Sequence, residues 1–439
     1  MPHYLPNKRI WTGLAVVGIT VMISYGLWLW SMFQAGEWYD NPLKYPAKVG
    51  SHGTLTLMCW AFILATRFRP VEWLFGGLDK VYKAHRWVGE AAFFLIFLHP
   101  LFLALAFSDS LGGFIRYLWF SEDWVRNTGI IALLGFILLV TLSIYVKIAY
   151  HRWKRTHDFF GLLLVIIVIH AVISGGEIMK YPLLTVWHGA WVAVGLTSYV
   201  YIRVLYRFFG PQYDYVTHHV CEIGDAITEV YLEPLGRPMY FRPGQFIYIS
   251  FDTDAVTEEP HPFSISSAPD NPQMRLSIKR LGDWTSDVVK IDRGEPARIW
   301  GPYGHFSDYL FKHPKLSTVL IGGGIGITPF LSIVRSRAFR NRAGNSTLIY
   351  SVPNKRAAVY AEELKEATEA LDHTQLIQHF SDDEGFIDTE MLQGILDKPL
   401  KEHLFLVCGP PIMMESIERL LTEAGVKPKQ IVMEDFSIR

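Results

Sequence analysis

Hydrophobic positions in the first half of the chain come in long unbroken runs, at about 11–33, 49–66, 86–107, 129–149, 157–175 and 183–206. Each is close to the ~20 apolar residues that a helix needs to cross a bilayer, so the pattern predicts six membrane-spanning helices. Beyond residue 210 the pattern changes. Between 215 and 310 short stretches alternate apolar with polar, as in VYLEPLGRPMYFRPGQFIYISF, with Gly and Pro between them. A period of two predicts the strands of a small antiparallel β-barrel. From 316 to 432 apolar strands alternate with helical segments, as in STVLIGGGIGITPFLSIVRS (317–336) and HLFLVCGPPIMMESIERLL (403–421). That alternation predicts a parallel α/β sheet. Domains are expected at 1–210, 211–313 and 314–439.

Composition agrees with this division. Half of the 439 residues are hydrophobic and 14% are aromatic, a high share that the apolar runs account for. A net charge of −1 offers nucleic acid no basic surface. Basic residues set the orientation. Thirteen, from Lys8 and Arg9 to Arg203 and Arg207, fall on one side of the six spans, and only Lys44, Lys48, Arg116, Arg126 and Lys180 on the other. The positive-inside rule then puts both termini and the soluble half in the cytoplasm of a multi-pass protein of the cell membrane. The first run has no small-residue cleavage pattern after it and reads as a retained span, with a signal peptide as the alternative. Cys59, Cys221 and Cys408 have no metal-site spacing and form no disulfide framework.

Two of the runs carry histidines at both ends: HRWVGEAAFFLIFLH (85–99) and HDFFGLLLVIIVIH (157–170). Both predicted helices run outward, so His85 and His157 share the inner depth, and His99 and His170 lie roughly 20 Å further out. Paired imidazoles at two depths suit two six-coordinate haem irons, and ionisable groups inside a membrane are costly enough to expect a function. The spacing of 14 returns to within about 40° of the same helix face, whereas 13 leaves about 140°. The second helix must therefore bend, tilt or present its histidines at different ring angles, and Gly161 is its candidate weak point. His52 and His188, near the outer ends of the second and sixth spans, lack matched partners; they line the outer haem edge or a vestibule, or are interface histidines.

In the soluble half, HPFSISSAP (261–269) is followed by LSIKRLGDWTSDV (276–288), GPYG (301–304) and the two glycine-bearing strand–turn–helix units. A glycine turn that follows a strand and opens a helix lets backbone approach a pyrophosphate. After strand STLIYSV (346–352) no acidic residue stands where a ribose 2′-hydroxyl would be held, and Lys355 and Arg356 follow. These residues suit a 2′-phosphate.

In the order of its histidine pairs, HPFSISSAP, GDWT, GGGIGITPF and CGPPIMM, the chain resembles the NADPH oxidase / ferric reductase superfamily over roughly residues 10–439. The resemblance implies a transmembrane bis-haem domain of six helices, an FAD-binding β-barrel and an NAD(P)H-binding α/β domain. It implies two b-type haems, the inner on His85 and His157 and the outer on His99 and His170. Phe263 would pack on the flavin ring and Ser264 hydrogen-bond near its reactive nitrogen, with Pro262 and Ser266 in the same segment. His261, Lys279 and Thr285 would face flavin phosphates. Gly322, Gly323, Gly324, Gly326 and Thr328 would form the nucleotide turn, and Arg356 would favour NADPH, with NADH as the alternative. Cys408, Gly409 and Pro410 would sit near the nicotinamide. Phe436, in the final MEDFSIR, would lie on the flavin as a displaceable gate, although three residues follow it. Ser264, Cys408 and Phe436 would be the residues closest to hydride transfer.

The implied activity carries electrons from cytosolic NADPH through FAD and haems to oxygen, giving superoxide, or to a ferric chelate. Membrane lipid and that acceptor are the expected partners, and no obligatory protein partner is evident. Two rival readings use the same histidines. One is a transporter or proton conduit with a regulatory nucleotide-binding domain, without haem. The other is a haem relay to a partner protein.

Overall fold

The structure, a computed structural model, describes residues 6–146, 148 and 150–434. Phe436 and Lys147 lie outside the described residues. Contacts divide the chain into two compact units: Arg9–Phe75 with Lys80–Phe208, and chiefly Phe209–Arg439.

The first unit is helical: α1 (Pro6–Ala35), α2 (Lys44–Leu64), α3 (Arg69–Phe75), α4 (Leu78–Ile96), α5 (Leu98–Phe107), α6 (Leu111–Tyr117), α7 (Trp124–Ile144), α8 (Tyr150–Asp158), α9 (Phe160–Ile173), α10 (Glu177–Lys180) and α11 (Pro182–Val200). Five stretches are long and apolar enough to cross a membrane, with α4–α5 and α8–α9 each counted as one; α2 with α3, bent by 110°, makes a sixth. The bend follows from Arg67, whose φ of 55° is left-handed and whose Nε donates to the Tyr82 hydroxyl at 2.9 Å. The unit is apolar outside, and its largely apolar interior holds a few paired polar groups. Met22, Phe33, Leu138 and Val186 are exposed. Inside, the Ser24 and Thr56 hydroxyls bond at 3.0 Å and Trp187 Nε1 donates to Ser24 at 2.8 Å. Interhelical hydrogen bonds of this kind bind helices where water is absent.

Three expectations need correction. The fourth span begins at Trp124 and ends at Ile144, five residues earlier than the apolar run suggests, because Asp123 caps the amides of Val125 and Arg126. The third span starts at Leu78, since an amphipathic turn precedes its apolar run. The fifth span does break, but at Phe159 rather than Gly161. There the Phe159 amide bonds Thr156 O, three residues back, at 3.2 Å, a tightened turn between α8 and α9. Gly161 serves packing: a Cβ there would lie 2.2 Å from the Tyr199 ring. The third span breaks too, at Phe97. Pro100 explains this, because it cannot donate to Ile96 O and its ring clashes with that carbonyl.

In the second unit, strands β1 (Gln212–Ile223), β2 (Ile227–Pro234), β3 (Phe246–Phe251), β4 (His261–Ser264), β5 (Met274–Lys279) and β6 (Pro296–Tyr303) form an antiparallel sheet in the order β4-β3-β6-β1-β2-β5. A bridge between Ile265 and Leu276 joins its two edges, so the sheet curls round a core that includes Val230, Ile249, Leu276 and Ile299. Strands β7 (Thr318–Gly323), β8 (Ser346–Val352), β9 (Thr374–Phe380), β10 (Leu404–Cys408) and β11 (Ile431–Met433) form an all-parallel sheet, order β11-β10-β7-β8-β9. Its side chains alternate between two cores, Leu320 and Leu348 on one face and Val319, Ile321 and Ile349 on the other. Strands buried on both faces read as unbroken apolar runs.

Candidate functional site

The structure brings the four histidines of the broken spans together in two pairs. His85 and His157 have ring centres 6.0 Å apart, and His99 and His170 have theirs 6.4 Å apart. A metal ion bonded at about 2 Å to one nitrogen of each ring, with about 1 Å from nitrogen to ring centre, sets the centres roughly 6 Å apart. The rings are also pinned. Nδ1 of His85 faces Ala61 O at 2.9 Å, and Nδ1 of His99 faces Ala47 O at 3.2 Å. Nδ1 of His157 faces Ser143 Oγ at 3.0 Å, and Nδ1 of His170 faces both Thr128 Oγ1 at 3.0 Å and Val125 O at 3.1 Å. A ligating histidine is characteristically oriented this way through its other nitrogen, which leaves Nε2 to ligate. Among the described residues no cluster of three or more metal-binding side chains exists, and each pair would hold a haem iron through its two Nε2 atoms.

Glycines shape the surroundings. Gly89, one turn after His85, has nothing within 4 Å of where its Cβ would be. A Cβ on Gly129 would lie 2.8 Å from the His170 ring, and one on Gly50 would lie 2.8 Å from the His99 amide. The residues therefore fit two bis-imidazole haems.

Of the readings open to His52 and His188, the structure favours interface histidines. Each is 1% exposed, and they are each other's partners: His52 Nδ1 and His188 Nε2 are 3.1 Å apart and the rings stack with centres 5.1 Å apart.

In the barrel, β4 is an edge strand whose residues pair with β3: Ser264 with Phe246, Phe263 with Ile247, Pro262 with Tyr248 and His261 with Ile249. His261 and Phe263 share one face, Pro262 and Ser264 the other. The shared face of His261 and Phe263 is covered by Trp284, with ring centres at 4.1 Å from His261 and 5.7 Å, nearly parallel, from Phe263. Trp284 in turn donates to Thr257 O at 3.0 Å. The structure thus gives the Phe263 ring to a stack with Trp284 in the barrel wall. Thr285 Oγ1 accepts from the amides of Leu281 and Gly282 at 2.9 and 3.0 Å, so its hydroxyl holds the GDWT turn. Lys279 is exposed at the end of β5.

Ser266 lies elsewhere, in a buried network that sequence reasoning missed. Its hydroxyl donates to Arg275 O at 3.1 Å and meets Arg275 Nε at 3.1 Å and Ser277 Oγ at 2.9 Å. Arg275, 6% exposed, makes a fork to Glu363 at 2.9 and 2.7 Å. Tyr360 donates to Glu229 at 3.0 Å and Tyr231 to the same carboxylate at 2.7 Å. Glu363 and Tyr360 belong to the parallel-sheet domain, and Glu229 and Arg275 to the barrel, so the network ties the two. Burial pulls the Arg275 pKa down, but Glu363 and Glu229 outweigh it and leave it raised. Burial and then Glu229 push the Tyr360 phenol up, so Tyr360 remains a donor at physiological pH.

At the carboxyl ends of β7 and β10, Gly322 pairs with Cys408. Strands β8 and β9 continue to one side of this pair and β11 to the other, so the pair marks the switch point where ligands of open α/β sheets bind. The glycines there divide into two kinds. A Cβ on Gly326 would fall 2.4 Å from Cys408 O, and one on Gly323 2.5 Å from Met413 Sδ, so these permit packing. Gly409 packs against Met413 in the same way, and Gly322 against Ile327. Gly324 has φ +54° and open space above it, so its backbone there stands open to approach. Thr328 Oγ1 bonds Ile325 O at 3.0 Å and so closes the turn. Pro410 leads into the helix Pro411–Glu423. Arg356, in the turn after β8, pairs with Asp225 at 2.6 Å, both exposed.

Residues 51–168 match the family described as "Ferric reductase like transmembrane component", residues 216–296 an "FAD-binding domain" and residues 320–419 an "Oxidoreductase NAD-binding domain". A flavohemoprotein of Bacillus anthracis is 28% identical over 237 residues, 48% of this chain and 58% of that protein. The chain therefore spans little more than half the length of such relatives. Dual oxidase 2 of Rattus norvegicus is 28% identical over 316 residues, 62% of this chain and 19% of that one. Among solved structures, the flavohemoglobin of Malassezia yamatoensis, with bound FAD and heme, is 19% identical, with a TM-score of 0.51, covering 90% of this chain and 96% of that one; it shares the fold.

Proposed function

We propose, for a chain that belongs through its three matched segments to the NADPH oxidase / ferric reductase superfamily, that it moves electrons from cytosolic NADPH across the cell membrane to oxygen, giving superoxide. The observation that carries this reading is the two imidazole pairs, with ring centres 6.0 and 6.4 Å apart and every Nδ1 already bonded. When bound, FAD would accept hydride and release single electrons, and two haems would carry them between the membrane faces. The chain's part is to hold and orient. His85 and His157 would hold one haem and His99 and His170 the other. The outer edge of β4 at Pro262–Ser264, with Lys279, would hold the flavin. The turn at Gly324, beside Cys408, would receive the nicotinamide nucleotide. The network of Arg275, Glu363 and Glu229 keeps the two soluble domains in one relative placement, as hydride transfer requires.

A ferric chelate is the second acceptor reading, favoured by the family description of residues 51–168. The test is the purified, FAD-supplemented protein. Its reduced-minus-oxidised spectrum should show b-type haem, and it should form superoxide from NADPH with chelated iron present as competitor. No haem signal would remove the reading and leave the proton-conduit alternative. Iron reduction without superoxide would assign the second acceptor.

NADPH should be preferred to NADH. Arg356 would have to leave Asp225 for a 2′-phosphate, and an exposed ion pair is worth at most about 1 kcal/mol, so a phosphate can displace it. Asp225→Ala is expected to raise kcat/KM for NADPH by up to about fivefold and leave NADH unchanged, whereas Arg356→Ala should bring the two nucleotides together. Equal kcat/KM values in the wild type would overturn the preference.

A further inference from the structure

The His52–His188 pair is used by nothing described so far. Its Nδ1–Nε2 distance of 3.1 Å is that of a hydrogen bond and is shorter than the roughly 4 Å that two metal–nitrogen bonds span, so the pair is not a third metal site. The two remaining nitrogens, His52 Nε2 and His188 Nδ1, are buried without a hydrogen-bond partner. A buried orphan nitrogen costs stability, and two on one pair point to a purpose beyond bracing α2 against α11. The chemistry is specific. Whichever ring donates the shared proton, one outward nitrogen carries a lone pair and the other a hydrogen. A proton bonding to the lone pair shifts the shared proton along and loosens the hydrogen at the far end, with no movement of heavy atoms.

Its position places this pair beside the outer haem site. His52 lies on the stretch of α2 that supports His99. Ala47 O receives His99 Nδ1 at 3.2 Å, and Gly50 lets the helix lie against the His99 backbone. Trp28 covers His52, with ring centres 5.4 Å apart. The charged and titratable groups that act on His52 besides His188 are Lys48, one turn earlier on α2, and His99. Lys48 is ion-paired with Glu177, so its charge is largely offset.

We propose that His52 and His188 form a proton-accepting pair that binds one proton as each electron reaches the His99/His170 site. This rests on the functional reading above. An N–H bond forms on the pair, with the proton drawn from the outer medium. It breaks when the electron leaves for the acceptor and the proton returns to the outer medium, so charge beside the buried haem would stay balanced in both steps.

The test is a redox titration of the detergent-solubilised holoprotein over roughly pH 6–9. In the wild type the outer-haem potential should fall by about 59 mV per pH unit over part of this range, the tenfold change of a one-electron, one-proton couple. The double variant His52→Phe/His188→Phe removes both polar partners while filling their volume, and its potential should be independent of pH. His188→Gln keeps a hydrogen bond to His52 but leaves a single imidazole to take the proton, so the pH range of the slope should move. A merely structural pair would alter the melting temperature and leave the slope. An unchanged slope in the double variant, or an unmoved range in His188→Gln, with both haems bound, would overturn the proposal, as would a flat wild type. A wild type with no second haem would instead defeat the functional reading on which it rests.

Discussion

His99→Ala and His170→Ala are each expected to lower haem content from two per chain to one and to abolish reduction on the far side of the membrane. Their ring centres lie 6.4 Å apart, room for one ion between them, and a six-coordinate haem held by two imidazoles would not survive the loss of either. The two variants should behave alike, because the site needs both. Flavin reduction by NADPH should continue in each, since that step uses the soluble unit. His85→Ala and His157→Ala should remove the other haem. The measurement is haem per polypeptide by difference spectroscopy, with stopped-flow flavin reduction alongside. Retention of two haems in both outer variants would refute the ligand assignment.

Arg275→Ala should be the most damaging substitution in the soluble unit. The guanidinium forks to Glu363 at 2.9 and 2.7 Å and lies 3.4 Å from Glu229, a carboxylate that is 1% exposed. Removing one partner of a buried ion pair strands the other and costs about 3–5 kcal/mol. Glu229 keeps Tyr231 and Tyr360, and Glu363 keeps Arg335, so the loss should fall within that range. Arg275→Lys retains the charge without the planar fork and should lose less. Thermal release of flavin fluorescence from the intact protein measures both. An alanine variant that melts within a degree of wild type would show that the network does not secure the domains.

Local pattern carried much of this molecule. Unbroken apolar runs located the spans, and covalent spacing put His85 and His99, and His157 and His170, at two depths. The turn at Gly324 was legible because a strand, a positive-φ glycine and a helix start are contiguous in the chain. Even the break at Phe97 was available from Pro100, four residues beyond the carbonyl it spoils, whereas the spacing of His157 and His170 called for a bend without placing it at Phe159.

Tertiary structure decided what depends on residues distant in sequence. His52 and His188 are 136 residues apart, and no periodicity reveals that two lone imidazoles on separate helices will share a hydrogen bond. Arg275 and Glu363 are 88 apart and lie in different domains; by its sequence alone either is an ordinary surface charge. Phe263 stands in the HPFS motif, and that its ring stacks on Trp284 depends on a separate turn that brings Trp284 over β4. Backbone periodicity and chain spacing fix which way a side chain leaves its own helix or strand. Which group it meets there is set by how the elements pack, and that is a property of the folded chain.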